Sequence, residues 1–210
     1  MTSLNYTVFK SAFEKIVNDN FEPDEAEKLK NAMDWDAWIY GPGLAPVWQD
    51  FTTPQLNESS ALADEYIQLG GQSSPSNYSD YLTWYSSLKV VFLNRLLARV
   101  NDTTVPVLQK IDSDLNVTET VDPDCKNVWY PLGIYLNYSA VLEPAHTFIC
   151  SMGRMKYLTP IYTALLETGQ RDLAIQWFNE NLSFYHPYAI RDLSTLLGLS
   201  SDVGEDEPSD

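Results

Sequence analysis

Arg154 and Lys156 are the residues of this chain with the clearest capacity for binding chemistry. They stand two positions apart in GRMKYLTPIY, residues 153–162, in a chain whose 13 Lys and Arg face 29 Asp and Glu, for a formal net charge of −16. Arginine binds a carboxylate through a forked pair of donors, and lysine binds it as a point charge. The pair is therefore either a local anion site or two basic residues on a solvated turn.

Which interpretation holds depends on the conformation of the backbone at residues 153–156. In the body of a helix, residues i and i+2 point to nearly opposite sides, so the two cations would not grip one carboxylate. In a turn before a helix they can converge, and Gly153 makes such a turn easy. Thr159 has the chemistry of an N-cap with Pro160 following at N1, which predicts a helix that begins there and ends at Gly169. The N-terminus of that helix would add positive potential. The residues alone leave both interpretations open.

Other catalytic or metal-binding patterns are absent from the sequence. It contains no HExxH, no GxSxG and no P-loop, and its two histidines, His146 and His186, are far apart in the chain. His186 precedes Pro187 at a predicted helix start, which favours a structural role. Cys125 and Cys150 have neither a metal-binding spacing nor a disulfide framework, so we interpret them as reduced thiols. The residues thus predict neither a catalytic group nor a metal ligand.

An aromatic-rich segment lies early in the chain. Asp34 and Asp36 flank Trp35 there, and we interpret them as a helix terminus rather than an acid–base pair. Trp35, Trp38 and Tyr40 are predicted to lie in the core. Because glycines and prolines crowd the remainder of residues 34–47, an ordered turn is expected there.

Composition limits the class of protein. The 210 residues are 44% hydrophobic and 13% aromatic, which suits one helical domain, with or without a short appendage. A pI near 4.3 argues against nucleic acid and anionic membrane surfaces as partners. The apolar segment 88–100 is interrupted by charges, so no transmembrane helix is expected. No signal peptide is visible, which predicts a cytoplasmic protein.

Seven N-x-[ST] patterns are present, which is many for this length. We attribute them to the abundance of Asn, Ser and Thr rather than to glycosylation, with a secreted, glycosylated form as the alternative. The patterns begin at Asn5, Asn57, Asn77, Asn101, Asn116, Asn137 and Asn181.

Helical periodicity runs through nearly the whole chain, and no strand alternation persists. We predict an all-α protein of roughly ten short helices, whose apolar faces would be buried by stacking side by side as an α-solenoid. Asn57 or Ser59 should cap the third helix and Gly70 should end it. The predicted segments are 3–18, 23–33, 57–69, 78–100 as one helix or two, 103–115, 126–139, 144–152, 160–168, 171–183 and 187–197.

Two blocks of sequence together resemble the leukotriene A4 hydrolase family of zinc aminopeptidases, the M1 metallopeptidases. Residues 33–47, MDWDAWIYGPGLAPV, resemble the W-x-x-W-[LI]-Y-x-P-G-L-x-P signature where the catalytic domain passes into the C-terminal domain. Residues 153–189 are similar to the end of those enzymes, where G-R-M-K-[FY]-x-x-P-[LI]-[FY] is followed by two helices and His-Pro. The resemblance covers residues 3–199 and is weak between the two blocks.

The resemblance implies a right-handed, armadillo/HEAT-like helical domain that closes one side of an active-site cleft. Carried onto this sequence, it implies that Arg154 is the principal anchor of a substrate carboxylate and Lys156 the assisting cation. That carboxylate would be the C-terminus of a short peptide or the acid of a lipid epoxide. These roles require the two side chains to converge and to be free of ion pairs within the domain.

The chain also departs from the family. The zinc ligands of the HExxH motif, the G-x-M-E-N loop and the catalytic tyrosine belong to the upstream domain and are absent here. Residues 1–40 are expected to be the last helices of that domain and a linker, 41–199 the C-terminal helical domain, and 200–210 a disordered acidic tail. The upstream catalytic domain is expected to be a partner in cis, and zinc is expected in that domain and not in this chain. The alternative is a stand-alone, non-catalytic interaction module derived from the family.

Overall fold

The computed structural model describes residues 4–47 and 50–199, in which the chain forms twelve α-helices, one 3-10 turn and no strand. The prediction of an all-α protein is confirmed. The contacts within the chain divide it into two compact units, Met1–Phe51 and Thr52–Asp210. The predicted acidic tail, 200–210, lies outside the described residues. No helix in the described ranges is both long and apolar enough to cross a bilayer.

The first unit contains α1 (Tyr6–Asn20), α2 (Pro23–Asn31) and α3 (Trp35–Tyr40). Asn5 begins α1, because its side-chain Oδ1 accepts the N–H of Val8 at 3.0 Å. Pro23 stands in the first turn of α2 as predicted, followed by Asp24 and Glu25, whose charges suit the positive end of a helix. The two helices pack against each other.

Aromatic residues organise this unit only in part. The Trp35 ring meets Phe9 and Phe13 edge-on, with centroids 6.0 Å and 5.5 Å away. Trp38 and Tyr40 are 44% and 65% exposed, so their prediction as core residues is wrong. Since α3 has only six residues, only one side of it can pack against α1, and Trp35 lies on that side.

Residues 34–47 begin with this short helix rather than with a turn. Asp34 Oδ1 accepts the N–H of Ala37 at 3.0 Å, which confirms the interpretation of Asp34 as a helix terminus. Gly41 follows the helix because a Cβ at this position would lie 2.3 Å from the carbonyl oxygen of Ala37. Any residue with a side chain would therefore clash with that carbonyl oxygen unless the backbone shifted.

The second unit contains the other helices. These are α4 (Pro54–Leu69), α5 (Asp80–Thr83), α6 (Ser86–Ala98), α7 (Val105–Leu115), α8 (Pro123–Tyr135), α9 (Leu142–Ser151), α10 (Met155–Glu167), α11 (Arg171–Glu180) and α12 (Pro187–Leu196), with a 3-10 turn at Ser139–Val141. In this unit α6 packs on α4, α8 on α6, and α10 on α8, so alternate helices form one row. A second layer covers it, since α7 packs on α4, α9 on α8, and α11 and α12 on α10. Stacked helix pairs of this kind are the arrangement of an α-solenoid, which confirms that prediction.

The start of α4 differs from the prediction, and its end agrees with it. Thr53, and not Asn57 or Ser59, caps the helix, because α4 begins one turn earlier at Pro54. Ser59 is buried instead, and its hydroxyl donates to the Leu88 carbonyl of α6 at 2.8 Å. The predicted end holds, because Gly70 takes the left-handed conformation with φ of 61°.

A buried polar cluster fixes the connection from α7 to α8. The Thr118 hydroxyl donates to Asp112 Oδ2 at 2.7 Å and accepts from Trp129 Nε1 at 2.9 Å. Asp112 also accepts the Thr118 N–H at 2.8 Å and the Tyr138 hydroxyl at 2.9 Å. These hydrogen bonds join α7, the connection and α8, so each of the polar groups has a partner and the connection is held against both helices.

One glycosylation pattern conflicts with the folded state. Asn181 is buried, and its Nδ2 donates to the Trp177 carbonyl at 2.8 Å and contacts Cys150 Sγ at 3.4 Å. A glycan at Asn181 would break these contacts and leave buried polar groups unpaired.

Candidate anion-binding site

The two predicted cations lie at the start of α10. Arg154 is its N-cap, and its carbonyl accepts the N–H groups of Tyr157 and Leu158 at 2.9 Å and 3.1 Å. The helix is thus established before Pro160, which lies inside it, so the prediction that it begins at Thr159 and Pro160 is wrong. Proline in this position costs one backbone hydrogen bond without ending the helix.

This earlier start changes where Arg154 and Lys156 lie relative to the helix. Arg154 stands just outside the helix, and Lys156 is the second residue within it. Both side chains meet the ring of Tyr157, with Arg154 Cζ 5.7 Å and Lys156 Nζ 5.2 Å from its centroid. The structure therefore brings the two cations to one aromatic side chain, where the negative face of the ring attracts positive charge.

Tyr157 is buried and is fixed by contacts with α8 and α9. It is only 4% exposed, and its hydroxyl donates to Asp124 Oδ1 at 3.1 Å. Its ring packs edge-on against Phe148 of α9, with centroids 5.5 Å apart. A ring fixed by three helices restricts where Arg154 and Lys156 can lie.

Lys156 already has an acidic partner. Its Nζ donates to Asp124 Oδ1 at 2.6 Å, in the first turn of α8. This hydrogen bond is the main cause that raises the pKa of Lys156 and lowers the pKa of Asp124, and desolvation opposes both shifts. Both groups are half-exposed, so the pair adds little to stability. Lys156 thus does not meet the requirement of being free of internal ion pairs.

Arg154 differs from Lys156 in this respect. Over residues 4–47 and 50–199, no carboxylate lies within ion-pairing distance of its guanidinium, and the side chain is exposed. The carboxylates near the two cations are Asp124, which pairs with Lys156, and Asp122, whose charge acts on the pKa of Asp124. Because arginine keeps its proton, this arrangement can bind an anion but cannot transfer a proton. The chemistry that these groups can supply is therefore the binding of an anion.

Phe148 also lines a shallow pocket. The pocket encloses about 270 Å³, and its lining includes Lys126 together with the carboxylates of Glu119 and Glu143. Lys126 Nζ lies 5.4 Å from the centroid of Phe148. A third cation, which sequence reasoning missed, therefore lies near the ring that packs on Tyr157, but it shares its pocket with two carboxylates.

The histidines serve structural roles. His146 Nε2 lies 2.8 Å from Glu180 Oε2, and its ring stacks on Trp177 with centroids 4.9 Å apart. His186 caps α12, since its Nδ1 accepts the N–H of Tyr188 at 3.1 Å, as its place before proline predicted. No three metal-binding side chains converge among the described residues, so these residues do not fit a zinc ion.

Asp124 and Tyr157 were not identified from the sequence as parts of the site. The predicted helical segments 103–115 and 126–139 left residues 116–125 outside any helix, yet D-P-D before a helix is a start signal. Asp122 caps α8 by accepting the N–H of Asp124 at 2.9 Å and of Cys125 at 3.3 Å. This signal places Asp124 in the first turn of α8, but its pairing with Lys156 depends on how α8 and α10 pack.

Comparison with known proteins gives a consistent set of relatives. The family described as "Leukotriene A4 hydrolase, C-terminal" matches residues 84–197. Leucine aminopeptidase 2 of Ajellomyces capsulatus is 30% identical over 185 residues, which is 88% of this chain and 29% of the relative. Leucine aminopeptidase 2 of Aspergillus niger is 31% identical over 191 residues, 87% of this chain and 30% of the relative.

A third relative carries the other name. The leukotriene A-4 hydrolase homolog of Botryotinia fuckeliana is 29% identical over 176 residues, 83% of this chain and 26% of the relative. The chain thus spans less than a third of the length of each of these relatives.

Proposed function

The chain belongs to the leukotriene A4 hydrolase C-terminal domain family, and from this premise we propose that it is the helical, non-catalytic part of a zinc aminopeptidase. In this role it closes one side of the active-site cleft and binds the carboxylate of a peptide substrate. Arg154 is the principal anchor and Lys156 assists. The catalytic part, acting in cis in the cytoplasm, would hold the zinc and carry out the hydrolysis.

One observation carries this proposal: two cations meet the same buried ring, and Arg154 forms no ion pair within the described residues. An exposed arginine that meets an aromatic ring but no carboxylate among the described residues is available to an incoming anion, even in a chain of net charge −16. Its planar guanidinium can meet both oxygens of a carboxylate at once.

Lys156 has a secondary role in this proposal. A carboxylate bound to Arg154 would compete with Asp124 for the ammonium group, whose Nζ already lies 2.6 Å from Asp124 Oδ1. Because part of the attraction is spent in separating that pair, Lys156 should contribute less than Arg154. The contribution of Asp124 would be to hold the ammonium group near the Tyr157 ring.

A chimeric enzyme tests the proposal. The chain would replace its matched segment in the Aspergillus niger relative, and hydrolysis of Ala-Ala-Ala would be compared with that of alanine p-nitroanilide, which has no carboxylate. Arg154→Ala should lower kcat/KM for the tripeptide by roughly 10- to 100-fold, the range expected for a charge-assisted hydrogen bond, and leave the anilide nearly unchanged. Lys156→Ala should have a smaller effect of the same kind.

Arg191→Ala provides the matched control, because Arg191 is an exposed arginine paired with Asp192. It should affect both substrates equally and weakly. Equal losses for the two substrates on replacing Arg154 would reject the carboxylate role. A chimera without any activity would call for the carboxylate-binding titration described below.

A second candidate is a stand-alone interaction module, and α1 offers an observation in its favour. Leu4, just before that helix, and Val8 and Ile16 within it are all exposed apolar residues. Exposed apolar side chains of this kind can pack against another helix, either in the rest of an enzyme or in a separate protein. Mixing the chain with the separately produced remainder of the Aspergillus niger relative discriminates the two, since restored hydrolysis supports only the enzyme.

A further inference from the structure

An exposed aromatic side chain lies close to the start of the GRMK segment. Phe184, on the connection between α11 and α12, is 51% exposed. A Cβ added to Gly153 would lie 4.0 Å from Phe184 Cε1, an ordinary van der Waals distance. The edge of the Phe184 ring therefore lies near the glycine that directly precedes Arg154, with room for a Cβ between them.

The neighbouring residue holds this connection in place. Tyr185 is buried, and its hydroxyl donates to the Ile149 carbonyl at 3.2 Å and lies 3.3 Å from the Tyr162 hydroxyl. The N–H groups of Phe184 and Tyr185 both donate to the Asn181 carbonyl, at 2.9 Å and 3.0 Å. The ring of Phe184 is thus exposed to solvent, while the backbone that carries it is held in place by hydrogen bonds.

We propose that Phe184 forms an apolar subsite beside Arg154, so that the site prefers peptides that end in a large apolar residue. This inference rests on the proposed role of Arg154. The carboxylate and the side chain of a C-terminal residue leave the same Cα, so fixing one on Arg154 holds the other nearby. A large apolar side chain would cover the exposed half of the Phe184 ring, whereas alanine would leave it in water.

Charge and polarity near the site agree with such a ligand. Arg154 supplies the charge that a peptide C-terminus needs, and Phe184 supplies an apolar surface of the size of one side chain. Partial burial of two apolar side chains should make binding about fivefold tighter than for alanine. The contact therefore contributes selectivity among peptides, in addition to the anchor that every peptide carboxylate shares.

The test is an NMR titration of the 210-residue chain at low salt. The probes are Ac-Ala-Ala-Phe, Ac-Ala-Ala-Ala and the amide Ac-Ala-Ala-Phe-NH2, whose blocked N-termini remove a charge that the acidic chain would attract. We expect Ac-Ala-Ala-Phe to bind about fivefold more tightly than Ac-Ala-Ala-Ala, with the largest shifts at Arg154 and Phe184. Phe184→Ala should abolish that preference, and Phe184→Leu should retain part of it.

Tyr188→Ala is the matched control. Tyr188 is also an exposed aromatic residue, but its ring is covered by the Arg191 guanidinium, whose Cζ lies 4.6 Å from the centroid. This variant should keep the preference for Ac-Ala-Ala-Phe.

The outcomes separate the two proposals. Equal affinities of the wild-type chain for the two acids would overturn the subsite and leave the role of Arg154 intact. Equal affinities for the acid and the amide would overturn the carboxylate site and, with it, the inference that depends on it. A preference for Ac-Ala-Ala-Phe that survives Phe184→Ala would place the apolar subsite elsewhere, and a titration without any shift would reject both.

Discussion

Lys156 Nζ donates to Asp124 Oδ1 across 2.6 Å, although 32 residues separate the two in the chain. The ion pair joins the start of α10 to the start of α8, two helices that pack side by side in the row of the solenoid. Asp124 also accepts from the Tyr157 hydroxyl, so one carboxylate contacts both a cation of the site and the ring beneath it. The titration of Asp124 therefore reports on the geometry of the site.

The pKa of Asp124 should be measurably low and should depend on Lys156. Its hydrogen bond with Lys156 is the main cause of the lowered pKa. We expect Lys156→Met to bring the pKa of Asp124 back toward the ordinary aspartate value of about 3.9. Lys110→Met, which removes the partner of Asp114, should leave Asp124 unchanged. Carboxyl-detected NMR titration measures both.

The sign of the effect on stability follows from the same shift. Because the folded pKa lies below the unfolded one, the contribution of Asp124 to stability is present above the unfolded value and is lost as the pH falls through the folded value. Its exposure to solvent keeps that contribution small. An unchanged Asp124 pKa in Lys156→Met would contradict the ion pair.

Thr118→Val should destabilise the protein by about 2 kcal/mol, since a buried donor on Trp129 and the Asp112 carboxylate each lose a partner. Valine has nearly the same shape, so packing is retained and the polar loss dominates. Urea unfolding followed by tryptophan fluorescence measures the change. Thr83→Val, at an exposed threonine, makes the same substitution and should cost less than about 0.5 kcal/mol. Equal effects would contradict a structural role for the cluster.

The two cysteines should react at very different rates. Cys150 is exposed and Cys125 is buried, and both are free thiols. Burial, followed by the charge of Asp122, raises the pKa of the Cys125 thiol to about 12, so it forms little thiolate at neutral pH. We expect Ellman's reagent to modify one thiol in the folded protein and a second only in denaturant. Cys150→Ser should remove the fast reaction, and two fast thiols in the native wild type would contradict this packing.

The helical fold could be predicted from the sequence because its signals are local. Apolar periodicity, Pro23 at a helix start and Gly70 at a helix end each depend on a few neighbouring residues. In residues 153–162, however, the cap signal at Thr159 does not say whether the helix has already begun upstream of it. The cap expected at Thr159 was wrong because α10 had already begun at Arg154.

The candidate site could be predicted only in part for a similar reason. Arg154 and Lys156 stand together in one motif, whereas Asp124 reaches Lys156 through the packing of two helices. Periodicity gives the apolar face of each helix but not the register between them. Phe184 carried no signal as a single exposed aromatic residue, and its position near Gly153 is seen only in the folded chain.

Gly133→Ala provides the sharpest test of the packing around α8. Alanine favours helix by about 1 kcal/mol over glycine, so an open site would gain stability. At Gly133, however, a Cβ would lie 2.5 Å and 2.7 Å from the two γ-methyl carbons of Val141, which is fully buried in the 3-10 turn. We therefore expect the free energy of unfolding, measured with urea, to fall by about 1–3 kcal/mol.

Gly153→Ala is the control, because its Cβ meets only an ordinary contact, and it should change stability by less than about 0.5 kcal/mol. Adding Val141→Ala should relieve the clash, so the double variant should lose less than the sum of the two single losses, and strict additivity would mean that α8 and the 3-10 turn lie farther apart.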